Sequence, residues 1–276
     1  MMSATTLTPE AISYVCTIVR QRSAIELDAA KAYLIEARLS PVARRCGLTS
    51  TAELIGKLQA KIDPLVQQQV VEAMTTNETS FYRDAHPFDA LRSTIIPEVL
   101  KIRASQRTLN IWSAACSTGQ EAYSIAMLLS EQFPELAGWK TQILGTDLSD
   151  DVLEKARAAR FSQIEINRGL PAALLTKYFR REGMHWELLP QIRNLARFIK
   201  LNLIEPWPAL PTMDVVFLRN VLIYFNPAVK KMILEKIRKN MAPHAVLFLG
   251  AAETTMGLDA MFERIQINNS VFYRLK

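Results

Sequence analysis

Small residues crowd the end of the first strand-like run in SAACSTGQEAYSIAMLL, and the turn they make leads straight into a helix. Such a turn lets a ligand approach both the backbone and the positive end of the helix, as in a nucleotide-type pocket. Gly119 is its only glycine, so the segment does not match G-x-G-x-x-G, which weakens an NAD or FAD reading. A second strand-like run ends in ILGTDLSD. It places Asp147 28 residues after Gly119, at a strand tip where a carboxylate can accept both hydroxyls of a ribose. A third, MDVVFLRNVLIYFNP, stops being apolar at Arg219-Asn220 and then presents Tyr224 beside Asn226-Pro227. Polar groups at the carboxyl edge of a parallel sheet point into the ligand crevice. Each has a plainer alternative: an ordinary tight turn, a helix cap at Asp147 (although Ser149 is better placed for it), and an interdomain ion pair at Arg219.

These residues need a sheet to hold them. Strands are expected at Thr108 to Ala114, Thr141 to Thr146, Phe198 to Asn202, Asp214 to Leu218, Ala245 to Gly250 and Val271 to Leu275, with helices at Gln120 to Glu131, Ser149 to Ala159 and Pro227 to Met241. Alternation of this kind marks a parallel sheet with helices on both faces. The stretch from Phe262 to Leu275, with Asn268-Asn269-Ser270 in its middle, reads as a hairpin. Ahead of the sheet, residues 8 to 74 repeat apolar positions at helical spacing, as in Ile12, Val15, Cys16 and Val19, and in Tyr33, Leu34, Ala37 and Leu39. Thr8-Pro9-Glu10 is a good helix start, and Pro41, Gly47 and Pro64 are expected to divide the region into short helices. The expected organisation is an all-helical domain over 1–74, a linker over 75–105 and an α/β domain over 106–276 with a small insertion near 178–198.

Composition fits a folded protein: 276 residues, 49% apolar and 22% charged. No apolar run approaches the ~18 residues of a membrane span and no signal peptide opens the chain, so a cytoplasmic protein with no membrane insertion is expected. The three cysteines and three histidines are scattered without metal-ligand spacing, so no metal is expected. Residues 155 to 200 hold ten Lys or Arg against Glu165, Glu182 and Glu187, an excess of +7 in a chain of net charge +6. That patch suits an acidic partner or is a solvated face, and charge alone does not choose between them.

Four segments together resemble the chemotaxis receptor methyltransferase family, commonly called CheR: MTTNETSFYRD at 74–84, ACSTGQEAYS at 115–124, GTDLS at 145–149 and LRNVLIYF at 218–225. EARLSPVARRCGL in the helical region also looks like the family's, so the resemblance covers nearly the whole chain. It implies an α/β fold in which a Rossmann-like class I S-adenosylmethionine methyltransferase domain follows a small all-α N-terminal domain. It implies S-adenosylmethionine as cofactor and S-adenosylhomocysteine as product. By this similarity Asn77, Thr79 and Arg83 contact the cofactor, Glu121 its methionine amino end, Asp147 its ribose, and Asn202 and Leu203 the adenine region, while Arg219 and Asn220 complete the pocket. Tyr224 takes the place of a family tyrosine near the methyl group, as a hydrogen-bond donor that orients the acceptor. Arg103 is set beside it as a second catalytic candidate, on no spacing argument of its own.

The implied reaction is methyl transfer to glutamates on the cytoplasmic helices of methyl-accepting chemotaxis receptors, by a monomer that binds no nucleic acid. Arg38, Arg44 and Arg45 offer an acidic receptor helix a basic surface, or are ordinary solvated charges. The chain departs from the family pattern twice. Gln120 and Ala122 stand where members often have an acid and a proline, with Glu121 kept. The segment YFRREGMHWELLPQIRN is shorter than in members that dock a receptor's C-terminal pentapeptide, so recognition without that tether is expected. Two other classes stay open: an RNA methyltransferase using the +7 region, and a non-catalytic regulator that senses a nucleotide.

Overall fold

The computed structural model describes residues 7–28 and 32–276. Internal contacts divide the chain into two units, Met1–Thr76 with Tyr224–Val229, and Asn77–Ile223 with Lys230–Lys276.

The first unit carries α1 (Pro9–Ser23), α2 (Ala32–Arg45), α3 (Thr51–Ala60) and α4 (Pro64–Met74). Their starts follow side-chain capping. Thr8 Oγ1 accepts from Ala11 N at 3.2 Å with Pro9 in the first turn, Ser50 caps α3 in the same way, and Asp63 Oδ1 receives Leu65 N and Val66 N ahead of α4. Three expectations are corrected here. Pro41 lies inside α2 instead of ending a helix. Its ring and missing N–H cost about 3 kcal/mol, and the buried Leu39, Val42 and Ala43 around it keep the helix whole through packing. The apolar face of α2 runs through Ile35, Leu39 and Val42, and Tyr33 stands 69% exposed. Arg38 does not belong to an open basic surface: Nη1 donates to the carbonyls of Met74 (2.7 Å) and Thr75 (3.0 Å), and Nη2 to Thr76 Oγ1 (3.1 Å). It satisfies carbonyls left over at the end of α4.

The second unit begins as coil and turn over 77–85, then α5 (His86–Ala90), a π-helical turn at Leu91–Ile95 and α6 (Ile96–Ile102). Next come β1 (Thr108–Ala114), α7 (Gln120–Gln132), β2 (Lys140–Asp147) and α8 (Asp150–Ala158). A run of short elements follows: β3 (Arg160–Ser162), α9 (Gln163–Asn167), α10 (Ala172–Tyr178), β4 (Phe179–Glu182), β5 (His185–Leu188) and α11 (Pro190–Arg193). The chain ends with β6 (Ala196–Lys200), β7 (Met213–Leu218), α12 (Pro227–Lys239), β8 (Met241–Leu249), β9 (Phe262–Ile267) and β10 (Ser270–Leu275). A seven-stranded sheet takes the order β6-β2-β1-β7-β8-β10-β9. The first five strands are parallel, whereas β10 runs antiparallel to β8 and pairs with β9 as the expected hairpin. Every residue of β7 is buried, as a strand covered on both faces must be. The carboxyl ends of β1, β2, β6 and β7 therefore lie along one edge, where ligands bind in open α/β sheets.

Within the stretch expected as an insertion near 178–198, β4 and β5 pair with each other and with β3, which precedes it, as a separate three-stranded antiparallel sheet, β3-β5-β4, with Gly183 (φ 61°) and Met184 forming the tight turn from β4 to β5. Its strand β3 has three residues, too few to show an alternation in the sequence.

Candidate functional site

Four segments of the second unit meet at the carboxyl edge of the large sheet. The first is the turn after β1. Ala115 (φ 56°) and Ser117 (φ 51°) take the left-handed conformation, and Gly119 (φ 93°) opens α7. A Cβ at Gly119 would lie 3.1 Å from both Ala156 Cβ and the Tyr123 ring, so the turn packs too closely for a side chain there. The second is the tip of β2, where the Asp147 carboxylate accepts from Ser117 N at 2.9 Å and Ser149 N at 3.1 Å. Ser149 sits at the N-cap of α8, but its side chain makes no capping bond, so the better cap expected there is not formed. Asp147 thus ties the tips of β1 and β2 together while staying only 7% exposed. Glycine at Gly145 makes room beneath it: a Cβ would stand 2.4 Å from the Phe198 ring.

The third segment is the connector 77–84. Ser117 Oγ donates to the Asn77 carbonyl at 2.7 Å, and Tyr82 N donates to Ser124 Oγ on α7 at 3.0 Å. Phe81, 1% exposed, packs edge-on against Phe161 and Phe179, and its carbonyl would be 2.1 Å from a Cβ at Gly169. Tyr82 and Asp84 are also left-handed (φ 47° and 57°). Burial pushes the Tyr82 phenol well up from its usual range. Thr79 is half-buried in the same coil, and Arg83 Nη1 donates to the Glu78 carbonyl.

Arg219 and Asn220, just past β7, form the fourth. Arg219 donates from Nη1 to Glu121 Oε2 at 2.9 Å and from Nη2 to Asp84 Oδ2 at 2.8 Å and the Arg83 carbonyl at 2.9 Å. Its Nε is buried without a partner among the described residues. Ser113 Oγ donates to the other oxygen of Glu121 at 2.6 Å. One guanidinium therefore joins the connector, α7 and the end of β7, with one buried donor left without a partner among the described residues. Nearby, burial first, then the carboxylates of Asp147 and Glu121, push the Cys116 thiol well above its ordinary range, which keeps it neutral.

Asn202 and Leu203 lie in the turn after β6, not in the strand that was expected to reach Asn202. Asn202 Oδ1 accepts from Ile204 N, its carbonyl accepts from Trp207 Nε1 at 3.1 Å, and Lys236 Nζ donates to the Leu203 carbonyl at 2.8 Å. Tyr224 closes a 3-10 turn, Leu222–Tyr224, and begins the segment that groups with the helical unit, where its carbonyl accepts from Glu26 N at 3.2 Å. Arg103 is not at this edge. Its Nε donates to Asp214 Oδ1 at 2.7 Å near the start of β7, at the opposite edge of the sheet from the Arg219 cluster, so a catalytic part for Arg103 is withdrawn. Sequence reasoning passed over Glu253, whose carboxylate receives three backbone N–H groups of the loops after β7 and β8. An acid four residues past the tip of β8 was the available signal.

Two family descriptions match the chain: "CheR methyltransferase, all-alpha domain" over residues 10–75, and "CheR methyltransferase, SAM binding domain" over residues 77–271. Chemotaxis protein methyltransferase Cher2 of Pseudomonas putida is 40% identical over 250 residues, covering 89% of this chain and 90% of that protein. Chemotaxis protein methyltransferase 1 of Pseudomonas aeruginosa is 40% identical over 256 residues, 91% of this chain and 93% of that one. Chemotaxis protein methyltransferase 1 of Vibrio cholerae is 33% identical over 278 residues and the full length of both. The cofactor that these matches carry, S-adenosylmethionine, fits a sheet edge that gathers a carboxylate at the tip of β2 (Asp147), a tight turn of small residues leading into α7, and Glu121 and Arg219 beside it.

Proposed function

The chain belongs to the CheR methyltransferase family, a family of S-adenosylmethionine-dependent methyltransferases of chemotaxis, and from that premise we propose that it methylates glutamate side chains on the cytoplasmic helices of chemoreceptors. The products are a glutamate methyl ester and S-adenosylhomocysteine. The observation that carries this reading is Arg219, buried, bound to Glu121 and Asp84 and left with an unpartnered Nε where connector and strand tips meet.

S-adenosylmethionine supplies an electrophilic methyl group on a sulfonium. Around it Asp147 takes the ribose, Glu121 the methionine amino group and the Asn202-Leu203 turn the adenine, while Asn77, Thr79 and Arg83 close the connector side and Arg219 and Asn220 the remaining wall. A glutamate side chain has an ordinary pKa of about 4.3 and is ionised at neutral pH, so it needs no general base. The residues of the chain serve alignment, which can supply on the order of 7 to 11 kcal/mol. Tyr224 donates a hydrogen bond that orients the incoming carboxylate, and keeping water out favours the more dispersed charge of the transition state.

Acceptor recognition is direct, by the receptor's methylation helices, without a tethering pentapeptide; the tight turn at Gly183-Met184 leaves the β4–β5 hairpin little loop to hold one. The protein works as a monomer in the cytoplasm. The deciding experiment incubates it with labelled S-adenosylmethionine and receptor-containing membranes, then releases methanol with alkali. Base-labile label is expected in the receptor, at the same rate when the receptor's last five residues are removed. Label that resists alkali, or that goes to RNA, overturns the reading. Tyr224→Phe is expected to lower kcat about tenfold or more with S-adenosylhomocysteine affinity unchanged; equal turnover removes Tyr224 from the mechanism.

A further inference from the structure

Glu253 stands three residues beyond Gly250, where β8 leaves the sheet, and its two oxygens serve different groups. Oε2 accepts from Asn220 N at 2.8 Å and Gly250 N at 2.7 Å, and Oε1 accepts from Ile223 N at 3.2 Å. Gly250 permits the approach, since a Cβ there would stand 2.8 Å from both Asn220 N and Glu253 Oε2. Asn220 takes a left-handed φ of 57°, which asparagine adopts more readily than other residues with a side chain, and its N–H is held there by the Glu253 carboxylate. Backbone N–H groups bound by a carboxylate make roughly twice as strong a bond as to a neutral acceptor, and here one carboxylate binds three. Ile223 is the residue before Tyr224, so its fixed N–H also sets the entry of the chain into that tyrosine.

We propose that Glu253 is a positioning residue for methyl transfer: Oε2 fixes Asn220 on the donor side, Oε1 fixes the turn that presents Tyr224 on the acceptor side, and one carboxylate keeps the two in register. The inference rests on the roles given above to Asn220 and Tyr224. A carboxylate that only staples two loops together would show its loss in thermal stability alone. A positioning residue shows it in the kinetics of the folded protein, and shows it differently for its two oxygens.

Glu253→Gln separates them. The amide keeps one oxygen, which serves the pair Asn220 and Gly250, and its NH2 then faces the Ile223 N–H, donor against donor. In the full-length protein, Glu253→Gln is expected to bind S-adenosylhomocysteine within about twofold of the parent by calorimetry, with unchanged KM for S-adenosylmethionine and a kcat on receptor membranes about tenfold lower. Glu253→Ala is expected to lose about tenfold in S-adenosylhomocysteine affinity and on the order of 100-fold in kcat. Thermal melts set the folded fraction of each variant. Parental affinity and kcat in the folded fraction of both variants overturn the proposal. So does a parallel fall of affinity and kcat in Glu253→Gln, because the oxygens then do not act separately. A parent protein that binds S-adenosylhomocysteine but methylates no receptor glutamate sinks the acceptor reading instead, and the affinity of Glu253→Ala relative to that parent still scores Glu253.

Discussion

Asp214 enters β7 and Arg219 follows its end, and both are buried charges, their side chains 0% and 2% exposed. At the amino edge Asp214 is fully engaged: Arg103 Nε and His244 Nε2 lie 2.7 and 2.8 Å from Oδ1, and Asn110 N donates to Oδ2 at 2.8 Å. At the carboxyl edge Arg219 is bound on its two Nη atoms and left open at Nε. Backbone geometry differs in the same sense. Of nine non-glycine residues with positive φ among the described residues, five lie in the segments around Arg219, namely Tyr82, Asp84, Ala115, Ser117 and Asn220, while Arg107 is the one before β1. The saturated cluster at the amino edge can do no more than stabilise the fold, whereas the one at the carboxyl edge, on left-handed backbone and with a donor to spare, supports the ligand site proposed above.

The sharpest way to break this contrast is Arg219→Lys. Lysine keeps the charge but not the fork, so S-adenosylhomocysteine affinity of the folded protein by calorimetry is expected to fall about 100-fold, with a drop in melting temperature from the buried bonds lost. Retained affinity would reduce the Arg219 cluster to the same standing as Asp214. Asp214→Asn is the counterpart: it leaves Arg103 without its anion and is expected to lower unfolding free energy by about 3 kcal/mol in denaturant titrations. The kcat and KM of its folded fraction should equal the parent's. Arg103→Gln takes the guanidinium from the fully buried Asp214 carboxylate, leaving it Asn110 N and His244, and should cost a similar amount, on the order of 3 kcal/mol, and nothing in turnover; a fall in kcat would restore it to the mechanism. The smallest effect expected is no effect. Iodoacetamide at pH 8 should leave Cys116 unlabelled in the native protein and label it after unfolding, because burial and its carboxylate neighbours keep the thiol protonated. Native labelling would mean that the carboxyl edge opens as the amino edge does not.

Much of the large sheet was readable in the sequence because its strands are long apolar runs that end abruptly in polar residues. The run that stops at Arg219 and the one that stops at Asp147 each marked a true strand tip. The terminal hairpin announced itself through Asn268-Asn269. Elements shorter than a period were not readable: β3 has three residues, and the π-helical turn at Leu91–Ile95 leaves no mark in apolar spacing. Pro41 misled because packing outweighed a local penalty. Charged residues were the hardest, since spacing does not tell where a long side chain ends. Arg38 turned back onto the end of α4 and Arg103 onto Asp214, and neither destination lies within thirty residues of its origin. Glu253 and Lys236 act on backbone atoms of distant loops, for which side-chain patterns give no sign.

The connector 77–84 is fastened to the strand-bearing unit by Ser117, Ser124 and Arg219, and Phe81 is part of that unit's core. Anyone dissecting the gene to express the catalytic half on its own must therefore cut before Asn77. A fragment begun at the first strand, Thr108, would look complete by its fold and yet lack the strap that binds Ser117, Ser124 and Arg219, along with an aromatic plug from its interior.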